Sequence, residues 1–246
     1  MRILIVRHCE PNYAIDGLTE KGRREAALLA KRLGQEDISA IYCSPLGRAQ
    51  RTAEPTAESL SMPINTVDWL VEFDHNEGAQ VVRPGTKERD CCWDLRPAAV
   101  EQFPDVYHPT KWREVPFIAD SGVPAAYDKI CAAMDACLAS WGYVREGKSY
   151  RVERSHHETI ALFCHFGVTA VLLSHLMNCS PYSIWQHVAT LPSAVSIFYT
   201  EERQEGIASF RASAIGDLSH LYVASEPPSF ACRFCECFAD DTRHGD

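Results

Sequence analysis

The chain has 246 residues, of which 46% are hydrophobic and 10% aromatic, and its formal net charge is −9. This length and composition suffice for one large α/β domain that carries an insertion, or for two small domains. The acidic balance argues against nucleic acid or an anionic membrane as a partner, because such partners require a basic surface. An acidic protein can still bind a phosphate ester where a few arginines converge in one pocket.

The start of the chain does not resemble a secretory signal, because its apolar run spans only residues 3–6 and ends in charged residues. No apolar stretch approaches the length of a transmembrane helix. We therefore expect a cytoplasmic protein. In that compartment the 11 cysteines are expected to be reduced thiols rather than a disulfide framework.

The first sixty residues alternate between predicted strands and helices. The apolar residues 3–6 predict a buried strand, and apolar residues at helical spacing after Thr19 predict a helix that ends near Gly34. Residues 38–43 predict a second buried strand, and residues 47–60 a second helix. This order of strand, helix, strand and helix predicts a parallel sheet.

Residues 62–155 break this regularity. The segment carries four of the five tryptophans and many of the prolines, and it contains one clearly predicted helix at residues 125–143. The charged residues 146–154 are predicted to form a solvated loop. We interpret the segment as an insertion, or lid, over the edge of the sheet that selects the substrate.

Regular elements return after the insertion. Residues 159–164 predict a strand and residues 168–177 a helix, with a further helix predicted from Ser180 to about residue 188. Residues 195–199 and 207–214 predict two strands close enough in sequence to form a hairpin.

The predicted fold is a three-layer α/β sandwich with a mostly parallel central sheet, helices on both faces and an insertion over the active-site edge. We expect a single domain over residues 1–246, with the insertion at about 62–155 and a C-terminal arm at about 223–246. The arm contains two consecutive prolines and ends in polar residues.

Arginine and histidine side chains follow several of the predicted strands. Arg7 and His8 follow the first strand, Arg48 lies at the start of the second helix, and His165 follows a later strand. Because the carboxyl ends of parallel strands share one edge of a sheet, these side chains are expected to meet in space. Two arginines and two histidines suit a phosphoryl group, and the helix that begins near Gly167 adds backbone N–H donors.

Four short segments, each at the end of a predicted strand or helix, combine into a recognisable signature: Arg7-His8-Cys9-Glu10, Leu18-Thr19-x-x-Gly22, Ser44-Pro45-Leu46-Gly47-Arg48-Ala49-x-x-Thr52-Ala53 and Cys164-His165-Phe166-Gly167. In this order they resemble the sequence blocks of the histidine phosphatase superfamily, which has the phosphoglycerate-mutase-like fold. The resemblance covers the N-terminal third of the chain and the region around His165.

The resemblance implies that His8 is the nucleophile and becomes phosphohistidine. It also implies that Arg7, Arg48 and His165 bind the phosphoryl oxygens. Because His8 must attack through a neutral nitrogen, its other N–H needs an acceptor, for which a backbone carbonyl is the expected group.

The leaving alkoxide also needs a proton donor. In the family this donor is a carboxylic acid after the second helix, in a Leu-x-Glu context, which Glu72 fits in this chain. Glu77 is the alternative, and Asp74 and His75 are close enough in sequence to compete.

Three positions depart from the family pattern. Cys9 replaces the usual glycine and is expected to place a bulkier side chain beside the nucleophile. Pro11 stands where many members have threonine or serine, and Ala14 where many members have a phosphate-binding asparagine. Loss of the asparagine donor at Ala14 weakens the case for a standard mutase or sugar-phosphatase site.

We therefore predict a phosphatase that hydrolyses a small phosphate monoester without a metal or other cofactor. The alternatives are a phosphomutase of the same fold and a non-catalytic protein that binds a phosphorylated ligand. Cysteines near the C-terminus have a metal-like spacing, but no second Cys-x-x-Cys completes a zinc site, so reduced thiols are the preferred interpretation. The residues concerned are Cys232, Cys235, Cys237 and His244.

Overall fold

The computed structural model describes residues 1–230 and Ala239, so Cys232, Cys235, Cys237 and His244 lie outside the described residues. Within this part of the chain the centre of the fold is an eight-stranded sheet. In chain order its strands are β1 (Arg2–Arg7), β2 (Ile38–Cys43), β3 (Ile64–Thr66), β4 (Tyr143–Glu146), β5 (Ser149–Val152), β6 (Thr159–Cys164), β7 (Val195–Gln204) and β8 (Ile207–Asp217).

The sheet has a parallel half and an antiparallel half. Its spatial order is β3-β2-β6-β1-β7-β8-β5-β4. The strands from β3 to β1 pair in parallel, and every pairing from β1 to β4 across the rest of the sheet is antiparallel. The predicted α/β class with a parallel centre is confirmed, and so is the predicted hairpin of β7 with β8.

Helices cover both faces of the sheet. The longer ones are α1 (Glu20–Leu33), α2 (Gly47–Leu60), α3 (Val123–Ser140) and α4 (Phe166–Met177), and the shorter ones are α5 (Pro181–Trp185) and α6 (Ser219–Val223). Along β1, Ile3 and Ile5 belong to one buried cluster, whereas Leu4 and Val6 belong to another on the opposite face. This explains the unbroken apolar run, because a strand covered on both faces has no solvent side.

Local signals in the sequence fix the bounds of α1. The Thr19 hydroxyl accepts the backbone N–H of Gly22 at 3.0 Å and so caps the helix. The Gly34 N–H closes the last turn on the Ala30 carbonyl at 2.7 Å. Both ends lie where the sequence predicted them.

The segment between β3 and α3 consists of short turns. It contains two brief α-helices, Pro97–Glu101 and Pro116–Ala119, and a ribbon of Val81–Val82 with Arg89–Asp90. Other parts of it form single 3₁₀ turns, namely Asp68–Leu70, Phe73–His75, Pro104–Tyr107 and Lys111–Glu114. The division of the chain into one domain with an insertion and an arm stays a prediction.

Two predictions for the end of this region are wrong. The helix predicted over residues 125–143 ends at Ser140, because Gly142 adopts φ +92° and turns the chain into β4. The residues predicted as a solvated loop contain β5, which pairs with β4. Tyr150 on β5 is buried while Arg151 is exposed, so the two faces of this strand differ in exposure.

The further helix after Ser180 is also shorter than predicted and ends at Trp185. None of the helices in the described part of the chain combines the length and the apolar character needed to cross a membrane.

Candidate active site

The carboxyl ends of β1, β2 and β6 meet at one edge of the sheet, as the sequence predicted. The backbone N–H of His8 donates to the Cys164 carbonyl at 2.9 Å, and that of Ser44 donates to the Phe163 carbonyl at 2.9 Å. As a result the rings of His8 and His165 lie side by side, with centroids 5.1 Å apart and planes inclined at 56°. Two residues separated by more than 150 positions in sequence thus form one pair.

The His8 ring is oriented by its own neighbour in the chain. Nδ1 lies 2.8 Å from the Cys9 carbonyl oxygen, which can only accept a hydrogen bond. Nδ1 therefore carries the proton, and Nε2 has a free lone pair. Burial and the charge of Arg7 hold the pKa of His8 well below its usual value, so the ring is neutral. The backbone acceptor expected from the sequence is present.

His165 is completely buried, and its hydrogen bond within the protein involves Nε2, whereas that of His8 involves Nδ1. Its Nε2 lies 2.7 Å from the Ser44 hydroxyl, which itself accepts the Leu46 N–H at 3.3 Å. We assign the hydroxyl hydrogen to His165 Nε2, which leaves the ring proton on Nδ1. Within the described residues Nδ1 is buried and has no hydrogen-bond partner. Burial and the adjacent His8 lower the pKa of His165 well below its usual value, so it is a neutral donor.

Both arginines of the signature are buried at the same edge. Arg7 donates from Nη1 to the Thr190 carbonyl at 2.5 Å, and its guanidinium carbon lies 5.1 Å from the centroid of the Phe166 ring. Arg48 donates from Nη1 to Asp16 Oδ1 at 2.8 Å. Among the described residues no group accepts from the buried Nε of either arginine. In each guanidinium, Nη1 is therefore hydrogen-bonded within the protein, and the Nε–H remains available to a ligand.

Asp16 lies on a short turn and holds Arg48 in position through their hydrogen bond. Its other oxygen, Oδ2, accepts the Gly47 N–H at 2.6 Å, at the start of α2. Burial alone would raise the pKa of Asp16, but the hydrogen bonds from Gly47 and Arg48 outweigh it and lower the pKa, so the carboxylate is charged. A Cβ on Gly47 would lie 2.1 Å from the Asp16 carbonyl oxygen, so this close approach requires glycine.

Glu72 lies at the N-terminus of α4. Its Oε1 accepts the backbone N–H groups of Phe73 at 2.7 Å and Val168 at 3.0 Å. Because both of these hydrogen bonds go to Oε1, Oε2 is the oxygen left for a substrate. Burial raises the pKa of Glu72, and the charge of Asp74 adds to the effect, so the carboxyl group retains its proton at higher pH than usual.

The competing groups lie in different surroundings. Glu77 and His75 are exposed, and the Glu77 backbone packs against Gly122. Asp74 is half-buried, with the Cys91 thiol 3.8 Å from its Oδ2. Of the four candidates for proton donor, Glu72 is the one whose carboxylate is hydrogen-bonded to the helix that follows His165.

Gly167 leaves room for two side chains at this helix end. A Cβ at this position would lie 2.2 Å from Cζ3 of Trp93 and 2.8 Å from Glu72 Oε1. Only glycine therefore allows the indole and the carboxylate to pack here. Trp93 comes from the irregular segment between β3 and α3, and nothing in its sequence surroundings predicted a place beside the site.

The expectation for Cys9 is wrong. Its side chain is completely buried in the apolar cluster with Leu18 and Ala49, beneath α1 and α2. Its backbone N–H donates to the Thr52 hydroxyl at 3.0 Å. The extra bulk relative to glycine is therefore accommodated in the core rather than in the space beside the nucleophile.

The other two departures lie on the short hairpin that carries Asp16. Pro11 is buried and pairs with Leu18, and Ala14 is exposed. Neither side chain forms a hydrogen bond, since both are hydrocarbon. In this chain Asp16 and Arg48 form the polar contact between the hairpin and the site.

Sequence reasoning assigned no role to Ser44, Asp16, Thr190 and Trp93, although each supports the site. Ser44 could have been found, because it directly follows a predicted strand and begins a motif that was noticed. Asp16 precedes another such motif. Thr190 contributes through its backbone carbonyl, for which no residue type is a signal. Among the described residues, no three or more His, Cys, Asp or Glu side chains are grouped so as to hold a metal ion.

Comparison with known proteins agrees with this geometry. The sequence model of the histidine phosphatase superfamily, branch 1, matches residues 3–106, a range that contains Arg7, His8, Arg48 and Glu72. Residues 3–106 of the chain are thus similar to the histidine phosphatase superfamily. Among curated proteins, phosphoserine phosphatase 1 of Hydrogenobacter thermophilus is 22% identical over 236 residues, which cover 91% of this chain and 97% of that protein.

Solved structures of two phosphatases share the fold. A phosphoserine phosphatase mutant from Entamoeba histolytica, in complex with phosphoserine, superposes with a TM-score of 0.58 at 17% identity. The match covers 89% of this chain and 98% of the other. A mycobacterial glucosyl-3-phosphoglycerate phosphatase superposes with a TM-score of 0.51 at 21% identity, over 87% of this chain and 98% of its own.

Proposed function

We propose that this protein hydrolyses a small phosphate monoester through a phosphohistidine intermediate on His8, without a metal. Similarity to the histidine phosphatase superfamily and to a phosphoserine phosphatase supports phosphomonoester hydrolysis. One observation carries the assignment of residues. Three buried N–H donors, Arg7 Nε, Arg48 Nε and His165 Nδ1, have no partner among the described residues. The His165 ring lies 5.1 Å from the His8 ring, and both arginines are close enough to His8 for their charges to lower its pKa.

In the first step, Nε2 of neutral His8 attacks phosphorus. A bond from phosphorus to nitrogen forms while the bond from phosphorus to the ester oxygen breaks. The three donors hold the equatorial oxygens of the phosphoryl group, whose charge increases in the transition state. Glu72 gives its proton to the departing oxygen, so the product leaves as a neutral alcohol.

In the second step, Glu72 acts in the reverse sense. Its carboxylate takes a proton from a water molecule, the oxygen of which attacks phosphorus as the bond to His8 breaks. Phosphate leaves, His8 is again neutral, and Glu72 is again protonated. The burial that raises the pKa of Glu72 favours this protonated resting form. The charges of Arg7 and Arg48 supply the electrostatic stabilisation that a metal would otherwise provide.

The named relatives favour hydrolysis over the phosphomutase alternative, because those compared are phosphatases of small phosphorylated metabolites. The presence of both a neutral nucleophile, His8, and a carboxylic acid, Glu72, argues against the non-catalytic alternative. A protein that only binds phosphate has no use for the carboxylic acid at this position.

We also propose that the chain forms one domain and is located in the cytoplasm. The sheet takes strands from both ends of the described chain, since β1 pairs with β7 and β7 with β8. The eight cysteines among the described residues are all free thiols, which supports a reducing compartment.

A direct test is to trap the intermediate. The protein is mixed with p-nitrophenyl phosphate in EDTA and quenched in alkali, in which phosphohistidine survives, and its peptides are analysed by mass spectrometry. We expect one added phosphoryl group on the peptide that contains His8, and none in His8→Ala. Turnover is expected to fall on the order of 10⁵-fold in this variant.

Three results would contradict the proposal. They are equal turnover in His8→Ala, a phosphoryl group on a peptide without His8, and loss of the wild-type activity in EDTA. The last result would instead indicate a metal-dependent enzyme.

A further inference from the structure

The Trp93 indole lies beside the group that must receive the leaving oxygen. We propose that Trp93 determines substrate specificity by contacting the alcohol part of the ester, and that the enzyme prefers alcohols that carry an aromatic ring over compact ones. The proposal rests on the proposed function, because it takes Glu72 to be the donor that protonates this oxygen.

The position of Trp93 is fixed by its contact with α4. Its six-membered ring packs on Gly167, with Cζ3 at 2.2 Å and Cη2 at 2.7 Å from the place where a Cβ would be. Glu72 Oε1 lies 2.8 Å from the same point, so the indole and the carboxylate are neighbours. The side chain of Trp93 is half-buried, which leaves part of the ring accessible.

Aromatic packing connects Trp93 to the phosphoryl site. Its ring meets Phe166 edge to face, with centroids 5.7 Å apart and planes at 89°. Phe166 in turn lies 5.1 Å from the guanidinium carbon of Arg7. The indole is therefore held in a defined orientation between the phosphoryl donors and the proton donor.

The geometry of proton transfer indicates where the alcohol part of the ester lies. The leaving oxygen must come within hydrogen-bond distance of Glu72 Oε2 to be protonated. The first carbon of the alcohol is bonded to this oxygen, so the rest of the alcohol extends over the surface around Glu72. The indole of Trp93 forms part of that surface.

A second aromatic residue lies near the other arginine. Tyr13 is 62% exposed, and its ring centroid is 5.4 Å from the guanidinium carbon of Arg48. Aromatic rings thus lie beside both arginines, Phe166 by Arg7 and Tyr13 by Arg48, and Trp93 packs on Phe166. Such surfaces favour a flat, apolar partner, which gains from both area burial and ring packing.

The test compares two esters whose alcohols are similarly acidic, 2-phenylethyl phosphate and ethyl phosphate, so that a difference reflects binding rather than leaving-group chemistry. We expect the wild-type kcat/KM to be about tenfold higher for the phenylethyl ester. In Trp93→Ala this ratio is expected to fall to about two, mainly through KM, whereas Trp93→Phe is expected to keep most of it.

Trp141→Phe is a matched control. Trp141 is also half-buried, but its indole N–H donates to the Tyr42 hydroxyl at 3.2 Å, beneath β2. This variant is expected to leave the ratio unchanged. A Trp93 that only supports Glu72 would lower kcat/KM equally for both esters and would move the alkaline limb of both pH profiles, so an unchanged ratio in Trp93→Ala overturns the proposal.

Binding of the corresponding phosphonates separates this proposal from the proposed function. 2-Phenylethylphosphonate is expected to bind wild type about tenfold more tightly than ethylphosphonate, and Trp93→Ala is expected to lose this preference. If His8 is phosphorylated but the preference does not depend on Trp93, the specificity proposal alone fails. If His8 is not phosphorylated, the proposed function fails, and the phosphonate affinities still decide whether Trp93 contacts the alcohol.

Discussion

The sheet edge and the irregular segment between β3 and α3 contribute to the same site in different ways. The sheet edge holds His8, Arg48 and His165 at positions that strand pairing fixes. The irregular segment supplies Glu72 and Trp93 from short turns. This division suggests that the first region binds the phosphoryl group common to all substrates, whereas the second handles the variable alcohol. Substitutions in the two regions should therefore differ in how far their effect depends on the ester.

Among the substitutions that compare the two regions, Arg48→Ala is expected to have the largest effect. Loss of one buried donor to the phosphoryl oxygens should lower kcat/KM on the order of 10³-fold. The loss should be about equal for p-nitrophenyl phosphate and ethyl phosphate, because the phosphoryl group is the same in both. Arg51→Ala, an exposed arginine paired with Glu54 on the same helix, is the control and should retain activity. A loss of kcat/KM that differs strongly between the esters would contradict the proposed division of roles between the two regions.

Glu72→Gln should have a smaller effect that depends on the ester. Ethoxide leaves poorly without a proton, so kcat/KM for ethyl phosphate should fall about 10²-fold. The p-nitrophenolate ion leaves unaided, and kcat/KM for its ester should fall less than about threefold. The exposed Glu77→Gln is the matched control. An equal loss for both esters in Glu72→Gln, or a loss confined to Glu77→Gln, would assign the proton donor to another residue.

The pH dependence of kcat/KM should identify Glu72 as the same proton donor. His8 has a lowered pKa and stays neutral on the acidic side, whereas Glu72 has a raised pKa and stays protonated above its usual range. We expect kcat/KM for ethyl phosphate to be maintained up to the raised pKa of Glu72 and to fall about tenfold per pH unit above it. Glu72→Gln should abolish this alkaline limb. A limb that persists in the variant would belong to a different group.

Cys9→Ala should have the smallest effect on activity. Its side chain lies in the core beneath α1 and α2, so truncation should lower the free energy of unfolding by about 1 kcal/mol. Urea denaturation measures this loss, and kcat/KM should stay within about twofold of wild type. A much larger loss of activity with unchanged stability would mean that the thiol reaches the phosphoryl pocket after all.

The sheet edge could be predicted because its determinants are local. A short apolar run predicts a strand covered on both faces, as in β1 and β6, and the rule for parallel sheets places the residues after these strands together. Thr19 and Gly34 mark the ends of α1 by hydrogen bonds within a few residues. For such elements the sequence carries the structural information within one turn or strand.

The irregular segment could not be predicted in the same way. Its turns are held by distant contacts, such as that of Trp93 on Gly167, and no periodicity in the sequence reports them. β5 was missed for a related reason, since its place between β8 and β4 depends on pairing with both strands rather than on its own charged residues. Glu72 was found through a family resemblance, whereas Trp93 had no such guide.

The ion pair of Asp16 with Arg48 bears on how the reaction ends. With both histidines neutral and Asp16 ionised, the carboxylate offsets one of the two guanidinium charges before any ligand arrives. Inorganic phosphate, which carries up to two negative charges near neutral pH, is therefore attracted less strongly than by two uncompensated arginines. We therefore expect this internal counter-charge to limit product inhibition, because it weakens the hold of the proposed donors on phosphate after each turnover.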